Sequence, residues 1–213
     1  MTNSTPFQSL QLHLQELDRL TSWRFLDVGA HLGNFYAGML ATFPKAVGVC
    51  IEPNPHSRRR LEHDHHIRAY AWAASDRYKT TTMYTQHDKL DSSGASLYRE
   101  NRANWLDPSR VKEFRVEAYP LDWFFAQERF ELVKIDTQGS ELDCVRGGEQ
   151  TIRNCTYLLV ETQLVEYNQG APFQHEVVEA IQDLGFEQVA LVEDHWDKQN
   201  TLVQQDLLFR NRA

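Results

Sequence analysis

FLDVGAHLGNF, residues 25–35, decides the fold. Its apolar beginning, with Arg24 in front, reads as a buried strand over 24–30 that runs into a glycine turn. Gly29 and Gly33 let the backbone turn sharply and approach a ligand closely. NFYAGMLATF (34–43) then has helical character, and Pro44 ends it. A strand, a glycine turn and a helix in that order start an α/β unit. The glycine spacing is not the GxGxxG of a dinucleotide fold, where a pyrophosphate sits on the helix N-terminus.

Outward from this turn the same rhythm repeats. AVGVCIE (46–52) is a second apolar run ending in an acid, and PNPHSRRRLEHD begins a helix. IRAYAWAAS (67–75) predicts a third strand. KTTTMYTQ (79–86) alternates and predicts a ribbon off the main sheet. FELVKID (130–136) and YLLVET (157–162) are the fourth and fifth strands, and SELDCVRGGEQTI between them is helical, with Ser140 as its cap. In PFQHEVVEAIQDLGF, Phe173, Val177, Ile181 and Leu184 form one helical stripe, and Gly185 stands at the C-terminal cap. FEQVALVE and QQDLLFRN, with no helix between them, predict an antiparallel hairpin. Leu10, Leu14 and Leu17 predict a leading amphipathic helix over 6–20. Residues 87–112 are polar, carry SSGAS and break the rhythm, which marks a candidate substrate lid. The expected architecture is a doubly wound, mostly parallel sheet, with ligands beyond the carboxyl ends of its strands.

A chain of 213 residues fits a single domain. Its net charge of −8 offers no basic stripe for nucleic acid. Arg58-Arg59-Arg60 is followed at once by Glu62 and Asp64, as on a solvated helix face. Cys50, Cys144 and Cys155 read as buried, reduced thiols, which suits a cytoplasmic location. MTNSTPFQSL has neither a basic n-region nor an apolar h-region, and no apolar run reaches membrane-span length. Oligomeric state stays open.

The strand ends carry the ligand chemistry. Asp27 can hold an ammonium group, and Glu52 can accept hydrogen bonds from two ribose hydroxyls. Ala74-Ser75-Asp76 is placed to meet an adenine edge. S-adenosylmethionine has all three features and no phosphate, so it is favoured over a nicotinamide cofactor or none. The expected cofactor residues are Asp27, Gly29, Ala30, Gly33, Asn34, Phe35, Glu52, Pro53, Ala74, Ser75, Asp76 and Asp136.

FLDVGAHLGNF, GVCIEPNP, AWAASD, SSGASL, LVKIDTQGSE and LLVE together resemble the FkbM family of S-adenosylmethionine-dependent methyltransferases, from about residue 24 to about residue 186. IEPNP and KID-x-x-G-x-E are the most specific segments. The resemblance implies a Rossmann-like, seven-stranded class I methyltransferase sheet and an acceptor hydroxyl on a sugar, glycan or other natural product. His31 departs from the family pattern, in which Asn is commoner.

Methyl transfer to a hydroxyl needs an aligned acceptor and removal of its proton. Asp136 and Glu161 end the two central strands and are the candidate catalytic acids. They act either as base and positioning groups or as oxygen ligands of Mg²⁺. The plain alternative is that Asp136 orients the cofactor or caps a helix and Glu161 pairs with Lys134 or another cation. His31 is a candidate base, although a loop histidine bonded to backbone is the simpler reading. His87 begins the polar excursion and is a candidate substrate contact, with a plain loop histidine again the simpler reading. The consecutive residues His63-Asp64-His65-His66 lack the spacing of a metal site. Tyr84, Tyr98, Trp105, Trp123 and Phe124 surround the polar excursion, with Trp123 and Phe124 expected in ordinary packing. N-methyl transfer, a non-catalytic cofactor-binding partner subunit and a nicotinamide oxidoreductase are the competing functions.

Overall fold

The computed structural model describes residues 6–65, 67, 69–86, 89–101 and 110–212, without the side chains of 18, 64 and 65. His66, His87 and Trp105 lie outside the described residues.

The chain enters through α1 (Pro6–Leu14) and a 3₁₀ turn (Gln15–Arg19). Leu10, Leu14 and Leu17 bury the apolar stripe of this segment in a cluster with Trp23, Phe25, Met39 and Leu208. Next come β1 (Trp23–Val28), α2 (Asn34–Thr42), β2 (Ala46–Ile51) and α3 (Pro55–His65). His63 and His65 therefore sit in the last turn of a helix. The seven-stranded sheet is completed by β3 (Ala69–Tyr70), β7 (Leu132–Ile135), β8 (Tyr157–Gln163), β9 (Phe186–Trp196) and β10 (Leu202–Asn211), in the order β3-β2-β1-β7-β8-β10-β9. β3, β2, β1, β7 and β8 are parallel. β10 runs antiparallel to both of its neighbours, as the hairpin reading expected. β7 and β8 are buried along their whole length, as strands covered on both faces must be.

The third predicted strand is two pieces in two sheets. β3 pairs with β2, whereas β4 (Ala73–Ala74) pairs with β6 (Val111–Tyr119) in a small sheet that also holds β5 (Lys79–Gln86). The bend falls at Ala71-Trp72. There the Trp72 ring is buried against Tyr119, Phe124 and Phe125, and Ser75 N–H donates to the Tyr119 carbonyl. The KTTTMYTQ ribbon therefore lies off the main sheet. The end of the polar excursion, Val111 and Lys112, already belongs to β6.

α4 (Asp122–Phe125) precedes β7. The single helix expected after Ser140 divides at Gly148 into α5 (Glu141–Gly147) and α6 (Glu149–Arg153). Ser140 stands at the N-cap without a capping side-chain bond. Glu141 instead turns back to accept the Thr137 and Gly139 N–H groups. α7 (Gln174–Asp183) buries Val177 and Ile181, with Leu184 just beyond, and Gly185 takes a left-handed φ of 96° after it. Phe173 leaves the expected stripe: it is the N-cap residue and stacks on His175 at the surface. All three cysteines are buried and free. Among the described residues no helix is long and apolar enough to cross a membrane.

Candidate active site

Carboxyl ends of β1, β2, β7 and β8 converge on a cavity of about 360 Å³. Gly29, in the turn after β1, has φ 83°, and a Cβ there would lie 1.9 Å from the Asp136 carbonyl oxygen. Only glycine lets the two strand ends come this close. Gly33 (φ 84°) caps α2 and faces away from the cavity.

Val28, Gly29, His31, Ile51, Glu52, Pro53 and Ala74 line one side of the cavity. Glu52 is buried. Its Oε2 accepts the His31 N–H and its Oε1 the Asn54 N–H, both at 2.7 Å. Burial pushes this carboxyl up to about 7 despite those bonds. A raised pKa means that the folded chain holds this proton longer than the unfolded chain. The stability it contributes is full below the ordinary glutamate value and is lost as pH rises through about 7. Ribose hydroxyls bind the ionised form best. S-adenosylhomocysteine affinity is therefore expected to rise between pH 6 and pH 8. Glu52→Gln should bind about 10- to 100-fold more weakly at pH 8, from the loss of hydrogen bonds to a charged group, and should flatten that rise. Calorimetric titration at both pH values checks this, and identical profiles for the two proteins would remove Glu52 from cofactor binding.

Other expected cofactor residues lie elsewhere. Asp27 is wholly buried, and its ammonium partner is the chain's own Lys134, at 3.3 Å. Burial raises its pKa, against the lowering pull of Lys134. Ser75 and Asp76 are off the cavity wall, and Asp76 is bonded to Ser75 Oγ and Lys79 Nζ. Ala30, Asn34 and Phe35 line a neighbouring groove of about 260 Å³, together with Pro6, Phe7 and Leu10 of α1. His31 (φ 50°) touches both spaces, but its Nε2 sits 2.7 Å from the Asp91 carbonyl oxygen. A nitrogen facing a carbonyl carries the hydrogen, so it cannot also take a proton from substrate. This bond ties the glycine turn to the polar excursion and leaves the basic lone pair of the ring on Nδ1. Ser92, Ser93, Gly94, Ala95 and Leu97 of that excursion line the cavity.

Cavity and groove meet at a wall shared by Gly29, His31, Asp136, Glu161 and His195. Asp136 pairs with Lys134 Nζ at 3.1 Å. Burial alone would raise the Asp136 pKa, but Lys134 and the Gln138 amide hold it below the ordinary value. Gln138 Nε2 donates both to Asp136 Oδ1 (3.0 Å) and to Glu161 Oε2. Gln204 Nε2 also donates to Glu161 Oε2, at 2.8 Å. An amide thus stands between the two acids, and an ammonium beside one of them, where the expected Mg²⁺ would need open oxygens. Burial, then the Asp136 and Asp206 carboxylates, push Glu161 well above the usual range. Lys134 does not pair with Glu161. It pairs with Asp27 and Asp136, donates to the Gly29 carbonyl and lies over the Phe35 ring. A different set can reach a cation: ligand atoms of Glu161, His195 and Asp206 lie within 4.8 Å of one another.

Sequence reasoning missed Gln138, Gln204, His195 and Asp206 as site residues. Gln138 carried one readable signal, its place in KIDTQGSE two residues after Asp136. It adopts φ 57°, and its carbonyl accepts from Ser96 Oγ and Asn168 Nδ2. Of the aromatics named with the excursion, Tyr84, Tyr98, Trp123 and Phe124 do not line the cavity. Tyr98 is half-buried, and burial lifts its pKa to about 12. Arg99 covers the Tyr84 ring. Trp123 and Phe124 are exposed rather than packed inside, stacking on Tyr78 and Trp72.

This strand order, with a glycine turn after β1 and a buried acid after β2, is that of a class I S-adenosylmethionine-dependent methyltransferase. Residues 27–187 match the Methyltransferase FkbM domain, and the chain belongs to that family. It is an S-adenosylmethionine-dependent methyltransferase. Over 184 residues it is 27% identical to the 2-O-methyltransferase NoeI of Sinorhizobium fredii (strain NBRC 101917 / NGR234), covering 78% of this chain and 74% of that one. The methyltransferase FkbM of Methylobacillus flagellatus KT shares the fold with a TM-score of 0.56 and 14% identity, over 88% of this chain and 44% of that longer one. Magnesium protoporphyrin IX methyltransferase of Synechocystis PCC 6803, solved with bound S-adenosylmethionine, gives a TM-score of 0.54 at 7% identity, over 96% and 77%. The N-terminal domain of EvdMO1, solved in the presence of S-adenosylhomocysteine and D-fucose, gives 0.51 at 10%, over 100% and 85%.

Proposed function

We propose that the chain transfers a methyl group to a hydroxyl of a sugar, glycan or related natural product. The observation that carries this reading is the carboxylate wall of Asp136 and Glu161 at the junction of cavity and groove. With the cofactor's nucleoside on the Glu52 and Ala74 side, its sulfonium faces that wall. The oxygen of the acceptor attacks the methyl in line, and the S–CH₃ bonding pair returns to sulfur. The hydroxyl proton leaves through the carboxylates to water. A neutral alcohol needs such negative groups beside it, whereas a free amine does not. Asp136, ionised beside Lys134, also opposes the sulfonium charge. The likeness to a 2-O-methyltransferase supports an oxygen acceptor. Ser92 to Ala95 form one wall of the cofactor space, so in this reading the polar excursion closes over the cofactor. The three free buried thiols suit a reducing, cytoplasmic setting.

The test offers glycosides and amines in parallel, with isotopically labelled S-adenosylmethionine. A methyl ether on a sugar hydroxyl, lost when that position is deoxy, is the expected product by mass spectrometry. Labelling of amines alone would overturn the reading in favour of N-methyl transfer.

A further inference from the structure

Glu161, Asp206 and Glu193 form a cross-strand row of acids. Asp206 on β10 is directly opposite Glu161 on β8 and directly opposite Glu193 on β9. Directly opposed residues of an antiparallel pair share a face, with Cβ atoms about 4.5–5.5 Å apart, and like charges there repel. Among the described residues, no lysine or arginine pairs with any of the three; the ion pairs of Glu161 and Asp206 run only to His195. All three line the groove, and Glu161 lines the cofactor cavity as well. Lys134 lines the same groove and its charge reaches Glu161 and Asp206, but its ion pairs are with Asp27 and Asp136, so the row of opposed acids favours a further cation.

His195 supplies the fourth element. It lies two residues after Glu193 on the same strand face, where the β9–β10 register is irregular between Leu202 and Gln204. Such irregularities re-aim side chains. Its Nε2 is buried and has no hydrogen-bond partner. That nitrogen lies 3.5 Å from Asp206 Oδ1 and 3.9 Å from Glu161 Oε1. Both separations are too long for a hydrogen bond. All three ligand atoms lie within 4.8 Å of one another, so a small inward shift of the side chains lets them surround one ion with bonds of about 2.0–2.2 Å. Glu161 Oε1 is the oxygen left over, because Gln138 and Gln204 both donate to Oε2. Those amides act as an outer layer that orients the carboxylate.

We propose that Glu161 Oε1, His195 Nε2 and Asp206 Oδ1 bind a divalent transition-metal ion. One imidazole and two carboxylates suit Mn²⁺ or Zn²⁺, whereas Mg²⁺ favours an all-oxygen shell. The ion's open positions face the junction of cavity and groove. There it would hold the oxygen of an acceptor hydroxyl and lower its pKa, and this use of the site, unlike the site itself, rests on the O-methyl transfer reading.

Mn²⁺ titrated into the chelator-treated full chain, without cofactor or acceptor, tests the site by the electron paramagnetic resonance of free Mn²⁺. Saturable binding of one ion per chain is expected, displaced by Zn²⁺ and not by an equal concentration of Mg²⁺. His195→Gln and Asp206→Asn, with unchanged circular dichroism, should each weaken it. Loss of an outer partner alone costs about 10- to 100-fold, and loss of a ligand should cost at least that. Absence of saturable Mn²⁺ binding to the unaltered chain would overturn the site, as would equal affinity in both folded variants. Intact Mn²⁺ binding in a chain that methylates only amines would overturn the O-methyl reading and leave the site standing.

Discussion

Glu161→Gln is expected to lower single-turnover methyl transfer by about 10²- to 10⁴-fold, the range for loss of a group that handles a proton in the transition state, while S-adenosylhomocysteine affinity stays the same. Gln keeps the length of the side chain, so it removes the negative charge and little else. Glu161 is buried, and its charge is repelled by Asp136 and Asp206. Its ionised form is therefore costly to keep, and that cost makes it strongly basic toward a hydroxyl at the shared wall. In the proposed reading the nucleoside lies on the side of the cavity lined by Glu52, Pro53 and Ala74, so cofactor binding has no reason to follow turnover. Single-turnover kinetics with calorimetry on the same protein check both halves. Turnover within an order of magnitude of the unaltered chain would take Glu161 out of the chemistry. A parallel fall in cofactor affinity would make it a binding residue.

Lys134→Met should destabilise the fold by about 3–5 kcal/mol, as expected when one partner of a buried ion pair is removed and the charge it served is left behind. For a chain of this length each kcal/mol moves the melting temperature by about 2–4 °C, so a drop of roughly 6–20 °C is expected. Asp27 is the reason for the size of the effect. It is fully enclosed, and both of its carboxylate oxygens lack a hydrogen-bond partner, so the ammonium at 3.3 Å is its compensation. Asp136 loses its cation in the same step. The sign with pH follows from the protons. Without Lys134 the folded-state pKa of Asp27 rises further above the unfolded value, and that of Asp136, which Lys134 holds below it, rises as well. The deficit is therefore small in acid, where both are protonated, and grows as pH increases. The double variant Asp27→Asn, Lys134→Met should recover part of the loss, because the enclosed charge is gone. Thermal unfolding at pH 5 and pH 8 checks this, and a deficit independent of pH would show that Lys134 acts by packing.

Much of the architecture was legible because its signals are local. The glycine turn of 25–35, the apolar runs of β1, β2, β7 and β8, and the hairpin of β9 and β10 each declare themselves within about ten residues. The third strand was misread because AYAWAA (69–74) is one unbroken apolar run, and only the burial of the Trp72 ring and the pairing on either side of it show that the chain bends there and changes sheets. Trp123 and Phe124 were expected in ordinary core and rim packing, and only α4 shows that they take the rim, in a ladder of rings at the surface. The site divides in the same way. Glu52, Asp136 and Glu161 could be found because each follows an apolar run, although Glu161 lies inside β8, which continues to Gln163, and does not end it.

The sequence by itself determined the α/β class, the glycine turn beside the cavity and the acids on the central strands, since side-chain periodicity and glycine's freedom of φ act over a few residues. The tertiary structure alone decided what surrounds those acids. Lys134 reaches back to Asp27 because β7 lies beside β1, and Asp206 faces Glu161 because β10 pairs with β8 in one register out of many. A shift of one residue would turn every side chain of that strand to the opposite face. Such juxtapositions of distant residues are set by the pairing of whole strands, which no short stretch of the chain specifies.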